Sequence, residues 1–306
     1  VIPDAEAFGD RLVRRVQERE SQLVLGLDPD PTRLWPEALE ADVGGSPGER
    51  AAHAVTAHCR LVLAAVAEQC VAVKPQVACF ERLGAPGWSA LATVVAEAQT
   101  LGLLVIADGK RGDIDVSARA YAQTFFGATD TPFGAVAGLG SDALTVNPLL
   151  GLDSLQPLAE IGRRAGGGLF VLVRTSNPGA ADIQDLELAT GDTVSDRLAG
   201  LVRRLGGDPG PSGLSDIGAV TGATAPQHLE RLRAEMPSAP FLLPGVGAQG
   251  GRVQDLAAAF APGPGGGLVS SSRGIVFAHE KSGGRPAPAA AHEAAALREL
   301  AWTVSH

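Results

Sequence analysis

The sequence predicts an α/β fold, a (β/α)8 TIM barrel with an additional N-terminal helix, spanning residues 1–306 as one domain. Three observations lead there. Short apolar runs of strand type alternate with helical segments eight times along the chain, which calls for a parallel sheet with helical crossovers. Eight units close a barrel, whereas an open doubly wound sheet usually has about five or six strands. The polar residues Asp28, Lys74, Asp108, Lys110, Ser176 and Arg273 end such runs, and barrel enzymes carry their reacting groups at the C-terminal strand ends.

In chain order, residues 3–20 read as the opening helix, and 22–28 (QLVLGLD) as the first strand. Ser46, Pro47 and Glu49 occupy N-cap, N1 and N3 of a capping-box helix start. That helix continues through 51–69. CVAVKPQ (70–76) is strand two, 87–101 a helix, and LLVIADGK (103–110) strand three. Residues 116–126 are helical, with Asp113 or Asp115 as cap. Strand four is 142–148 with its helix at 153–164; strand five is 168–174, followed by the turn composition TSNPGA. A helix over 192–205 leads to strand six at 216–224, a helix over 226–235, strand seven at 240–245 and a helix near 251–260. Strand eight is 267–273, and the last helix is 289–303. The stretches 127–140 and 206–213 read as long loops.

With 306 residues, 45% of them hydrophobic and 19% charged, the chain can bury a full core. No apolar run approaches the ~20 residues of a membrane span, and the first residues lack a signal-peptide core. A net charge of −9 without a basic cluster argues against nucleic acid and anionic membranes. Cys59, Cys70 and Cys79 are odd in number and match no metal or disulfide spacing, so they read as reduced thiols of a cytoplasmic protein. The six histidines form no metal pattern, and no metal site is expected.

The stretch DGKRGD (108–113) puts four charges into six residues at the end of strand three. In a strand, residues i and i+2 point the same way, so Asp108 and Lys110 should share a face. Only three of the 25 basic residues are lysines, Lys74, Lys110 and Lys281, and the first two sit at or near strand ends. Arginine cannot replace a compact ammonium that gives up a proton. Charge runs are commonly solvated turns. Here the strand-end placement and the scarcity of lysine favour chemistry: an ammonium held among carboxylates that stabilises a carbanion and then protonates it.

The loop GVGAQG (245–250) is a literal G-x-G-x-x-G, the pattern of a dinucleotide site. Such a site needs an acidic residue about 20 positions on, and residues 256–279 contain none. A phosphate site on the loops after strands seven and eight fits better. Gly245 and Gly247 would let backbone N–H groups approach the phosphate, Arg273 would add a fork of donors, and Gln249 would reach over it. Ser176 reads equally as a hydrogen-bond donor to substrate or as a turn residue.

With VKPQ (73–76), FERLG (80–84), SNPGA (176–180), VTGAT (220–224), PGVGAQGG (244–251) and SRGI (272–275), the chain resembles the orotidine 5′-phosphate decarboxylase family, and within it the bacterial branch with longer loops. The resemblance covers residues 25–277. It implies metal-free, cofactor-free conversion of orotidine 5′-phosphate to UMP and CO2. It implies that Asp28 binds the ribose, Lys74 links ribose hydroxyl to the charge network, Asp108 lies against the substrate carboxylate and Lys110 protonates C6. It further implies a homodimer in which Asp113 reaches the partner subunit's site. Ser117 would lie near the ribose, Ser176 would contact the pyrimidine, and Gln249 and Arg273 would clamp the phosphate. A Mg2+-dependent sugar-phosphate decarboxylase or lyase of the same superfamily is the nearest alternative. Those relatives resemble the chain in D-x-K-x-x-D but carry an acidic residue where Lys74 stands. A non-catalytic nucleotide-binding barrel is the other.

Overall fold

The computed structural model describes residues 6–40 and 44–306. Its strands in chain order are β1 (Leu23–Leu27), β2 (Ala72–Pro75), β3 (Leu104–Arg111), β4 (Ala128–Thr131), β5 (Gly134–Ala137), β6 (Ala143–Val146), β7 (Gly168–Arg174), β8 (Ile217–Thr221), β9 (Phe241–Pro244) and β10 (Gly267–Ser271). Among the described residues, eight of them pair in parallel and close a barrel in the order β1-β2-β3-β6-β7-β8-β9-β10. β4 and β5 form a separate antiparallel hairpin.

The period-two rule of strands explains both cores. Leu23, Leu25 and Leu27 of β1 join the layer between barrel and helices, while Val24 joins the interior cluster. On β3, Val105 and Ala107 go outward, and Leu104 and Ile106 go inward. Continuing these alternations past the apolar runs puts residues 28, 74 and 108 on the inner side, at the C-terminal mouth.

The additional N-terminal helix, Phe8–Arg19, closes the opposite end. Its Phe8, Leu12 and Val16 are fully buried in the interior cluster. The Phe8 ring meets Phe170 edge-on at 6.0 Å between centroids. A Cβ on Gly168 would stand 2.4 Å from the Phe8 ring, so only glycine admits that plug. Arg19 ties the helix down by donating to the carbonyls of Ala67, Cys70 and Leu101.

The capping box forms as expected: Ser46 Oγ accepts from Glu49 N, and the Glu49 carboxylate accepts from Ser46 N at 2.8 Å. Other elements differ from expectation. The first helix begins at Phe8; residues 3–5 of its expected span lie outside the described residues. The helix expected over 87–101 is Gly84–Thr100, preceded by a short helix Val77–Glu81. A Cβ on Gly87 would stand 2.0 Å from the Phe80 carbonyl, so that glycine serves a close helix crossing and is not a breaker. The segment near 251–260 is a 3-10 helix, Val253–Phe260. The last helix runs Pro286–Val304, because prolines fit a first helical turn. The loop 127–140 contains the β4–β5 hairpin. Strand six is only Ile217–Thr221; the rest of its expected span is loop.

Candidate active site

Asp108 is the hub of the mouth. Its Oδ2 accepts from Lys74 Nζ at 2.7 Å and Gln76 Nε2 at 3.0 Å. Its Oδ1 accepts from Lys110 Nζ at 2.5 Å and Thr145 Oγ1 at 2.9 Å. Asp108 and Lys74 are buried, 6% and 7% exposed, whereas the Lys110 side chain is 46% exposed and faces the cavity. Burial pushes the Asp108 carboxyl up, but the Lys74 and Lys110 ammoniums outweigh it and hold the group well below the carboxylate range. Burial likewise works against the Lys74 ammonium, and the Asp108 and Asp28 carboxylates overcome it, so its pKa rises.

Lys110 reaches Asp108 by a route that the regular pleat does not predict. Between the pairs Ala107–Leu144 and Arg111–Val146 the ladder shifts, with four steps on β3 against two on β6. Lys110 sits in this bulge with φ +46°, a left-handed conformation costing a non-glycine residue roughly 1–2 kcal/mol. Its N–H donates to Thr145 Oγ1 at 3.0 Å. Arg111 Nη1 holds the Gly109 carbonyl at 3.1 Å and its guanidinium pairs with Glu81. The Arg111 carbonyl accepts from Asn147 N at 2.8 Å. Gly112 is required where a Cβ would lie 2.8 Å from the Asn147 carbonyl. Bulges re-aim side chains beside active sites, and this one turns Lys110 over the carboxylate.

The hub opens into a cavity of about 620 Å3. Asp28, Lys74, Asp108, Lys110, Ser176, Gly245, Gln249 and Arg273 all line it. Asp28, Lys74, Asp108 and Lys110 line it from the ends of β1, β2 and β3; Gly245, Gln249 and Arg273 line it from the loops after β9 and β10. Arg273 is exposed and, among the described residues, has no ion-pair partner, which leaves its fork available to an anion. Leu172, Val220 and Leu242 supply an apolar floor. Ser176 is fixed by a close crossing of loops: Thr224 Oγ1 donates to its carbonyl at 3.0 Å, and a Cβ on Gly222 would stand 2.7 Å from its Cα.

Three expected site residues lie elsewhere. Gly247 does not line the cavity, and its N–H is used on the Gly251 carbonyl at 3.0 Å. Ser117 is exposed on the helix Asp115–Phe125, away from the cavity lining. Asp113 also lies outside the lining of its own chain's cavity, where its carboxylate accepts from Ile114 N at 2.8 Å. Two contributors were missed. Thr145 is a lone hydroxyl on the inner face of an otherwise apolar strand, which was the available signal. Gln76 stood inside the VKPQ segment with no role assigned. Among the described residues, no group of three or more His, Cys, Asp or Glu side chains is arranged to hold a metal ion. No described helix is long and apolar enough to cross a membrane.

A closed parallel barrel with an ammonium–carboxylate–ammonium array and an exposed arginine lining the cavity at its C-terminal mouth defines the class, a (β/α)8-barrel enzyme. Comparison with known proteins carries this further. The family model for "Orotidine 5'-phosphate decarboxylase / HUMPS family" matches residues 21–283. An orotidine 5′-phosphate decarboxylase of Rhodopirellula baltica is 42% identical over 90% of this chain and 89% of its own. One from Deinococcus radiodurans is 42% identical over 95% and 96%. The structure of Leishmania donovani OMP decarboxylase superposes with a TM-score of 0.70 at 31% identity, covering 98% of this chain and 99% of that one. The chain belongs to the orotidine 5′-phosphate decarboxylase / HUMPS family.

Proposed function

We propose that this chain, acting as one domain over 1–306, decarboxylates orotidine 5′-phosphate to UMP and CO2. The observation that carries the reading is the Asp108 carboxylate bridging two ammoniums in a cavity also lined by Arg273, which has no ion-pair partner among the described residues. Arg273 and Gln249 grip the phosphate, and Asp28 and Lys74 meet the ribose. Ser176 contacts the pyrimidine above the apolar floor. The substrate carboxylate then lies against Asp108. The C6–carboxylate bond breaks heterolytically, CO2 departs, and the electron pair remains on C6. Lys110 stabilises that charge from a position set before the reaction and delivers its proton to C6. Phosphate binding far from the reacting bond contributes to ordering these charges.

The Lys74 ammonium sits 2.7 Å from the Asp108 carboxylate, the oxygen a divalent cation would need, so the charge set favours metal-free chemistry. Purified protein is expected to turn over orotidine 5′-phosphate in EDTA, followed by the ultraviolet change and by CO2 release. Absence of turnover overturns the reading. A strict Mg2+ requirement with a pentulose phosphate would favour the superfamily alternative.

The reading includes a homodimer in which the partner's Asp113 completes each site. It is supported by the surface beside Asp113, where Ile114 is 49% and Val116 80% exposed, and by Leu149 at the cavity mouth, 81% exposed. Sedimentation at micromolar concentration is expected to give a dimer. Mixing inactive Lys110→Ala and Asp113→Ala proteins is expected to restore activity, since each heterodimer regains one intact site. Monomers alone, or no restoration, would count against Asp113 acting across an interface.

A further inference from the structure

Trp35 lies in the loop after β1, the loop that begins with Asp28, and it is 2% exposed. Both of its N–H groups are committed to other elements. The backbone N–H donates to His58 Nδ1 at 3.0 Å, on the helix Pro47–Val66, with the two rings edge-to-face at 5.6 Å. The indole Nε1 donates to the Val276 carbonyl at 2.9 Å. Val276 ends the four-residue helix Arg273–Val276, whose first residue is the cavity-lining arginine. A helix that short does not hold itself together in water. Among the described residues Arg273 has no ion pair to aim it, so the backbone of that helix sets where its side chain starts. Nearby, Arg33 reinforces the same seam, pairing with Glu280 at 2.6 Å and lying 4.2 Å over the Phe277 ring.

We infer that Trp35, seated on His58, is a positioning residue for the phosphate end of the site: it fixes the turn carrying Arg273 against the loop carrying Asp28. The inference rests on the proposed assignment of Arg273 to the substrate phosphate. His58 must offer a lone pair at Nδ1 to hold the Trp35 backbone. Its burial is in keeping with this, lowering the imidazole pKa to about 4 so that it stays neutral.

The test compares kcat/KM for orotidine 5′-phosphate with that for orotidine, which lacks the phosphate. Trp35→Phe keeps a buried aromatic ring and removes the indole donor together with part of the ring volume, a packing loss that both substrates would share. It is expected to lower kcat/KM for the phosphorylated substrate about tenfold, the scale of one buried hydrogen bond, with less than a twofold change for orotidine. His58→Leu, which removes the acceptor, should follow the same pattern, and His58→Asn, which keeps an acceptor oxygen, should recover much of the loss. Equal losses with both substrates would mean general damage and overturn the inference. So would variants that match an active wild type. A wild type with no turnover overturns the functional reading and this inference with it.

Discussion

Lys110→Ala is expected to lower kcat by ~10^3–10^4-fold while the protein stays folded. The proton donor and the cation beside the developing carbanion are one group here. Loss of a general acid costs ~10^2–10^4, and loss of a preorganised electrostatic partner ~10^2–10^3. The two do not simply multiply, because they describe the same residue. KM should move far less, since Asp28, Gln249 and Arg273 keep their places in the cavity wall. Asp108 retains Lys74, Gln76 and Thr145 as donors, so the change leaves no bare buried carboxylate and the melting temperature should hold within a few degrees. Lys110→Arg should not rescue, because a guanidinium does not release a proton near neutrality. Single-turnover measurement with saturating substrate separates the outcomes. A residual rate within tenfold of wild type would remove Lys110 from the chemistry.

The barrel was legible because period-two apolar runs and their helical crossovers are local features. Each strand carries its own inner and outer set, as Val24 against Leu23 and Leu25 shows. The same alternation, continued past the apolar run, placed Asp28, Lys74 and Asp108 at the mouth. It gave the right meeting of Asp108 and Lys110 by the wrong path. A bulge inserts residues into a ladder, and its register depends on β6, which lies far along the chain from β3. The hydrogen bonds that hold it involve Thr145, Asn147 and Glu81, none of them near Lys110 in sequence. Gly247 was misread for a related reason. A glycine pattern reports freedom of the backbone, and the loop spends that freedom closing on Gly251 instead of opening toward the cavity. The floor of the barrel was half legible: an extra helix was expected, but its plugging role depends on Phe8 meeting Gly168 and Phe170.

Asp108→Asn is expected to cost both activity and stability, and to introduce a pH dependence of stability that the intact pair does not have. In the wild type the Asp108 carboxyl is held below its usual range, so its contribution is present above the unfolded-state value near 4 and is lost as pH falls. Lys74 is raised, so its contribution is present below its unfolded value and is lost only as pH rises through the folded one. Between roughly pH 5 and 9 the pair therefore adds no slope to stability. An amide in place of the carboxylate leaves Lys110 free to turn to solvent, but Lys74 is buried and cannot. Removing one partner of a buried ion pair costs ~3–5 kcal/mol. Only Asp28 then remains of the two carboxylates that raise Lys74, and burial dominates. Its folded-state pKa falls below that of the unfolded chain, so the unfolded state binds more protons and stability rises with pH. Urea titrations at about pH 6 and pH 9 should show the variant gaining stability where the wild type is flat. Misplacement of Lys110 should also reduce kcat on the order of 10^2–10^3-fold, the scale of one lost electrostatic contact in a preorganised site. A variant as stable as wild type, with the same flat profile, would mean that the carboxylate does not hold the two lysines together.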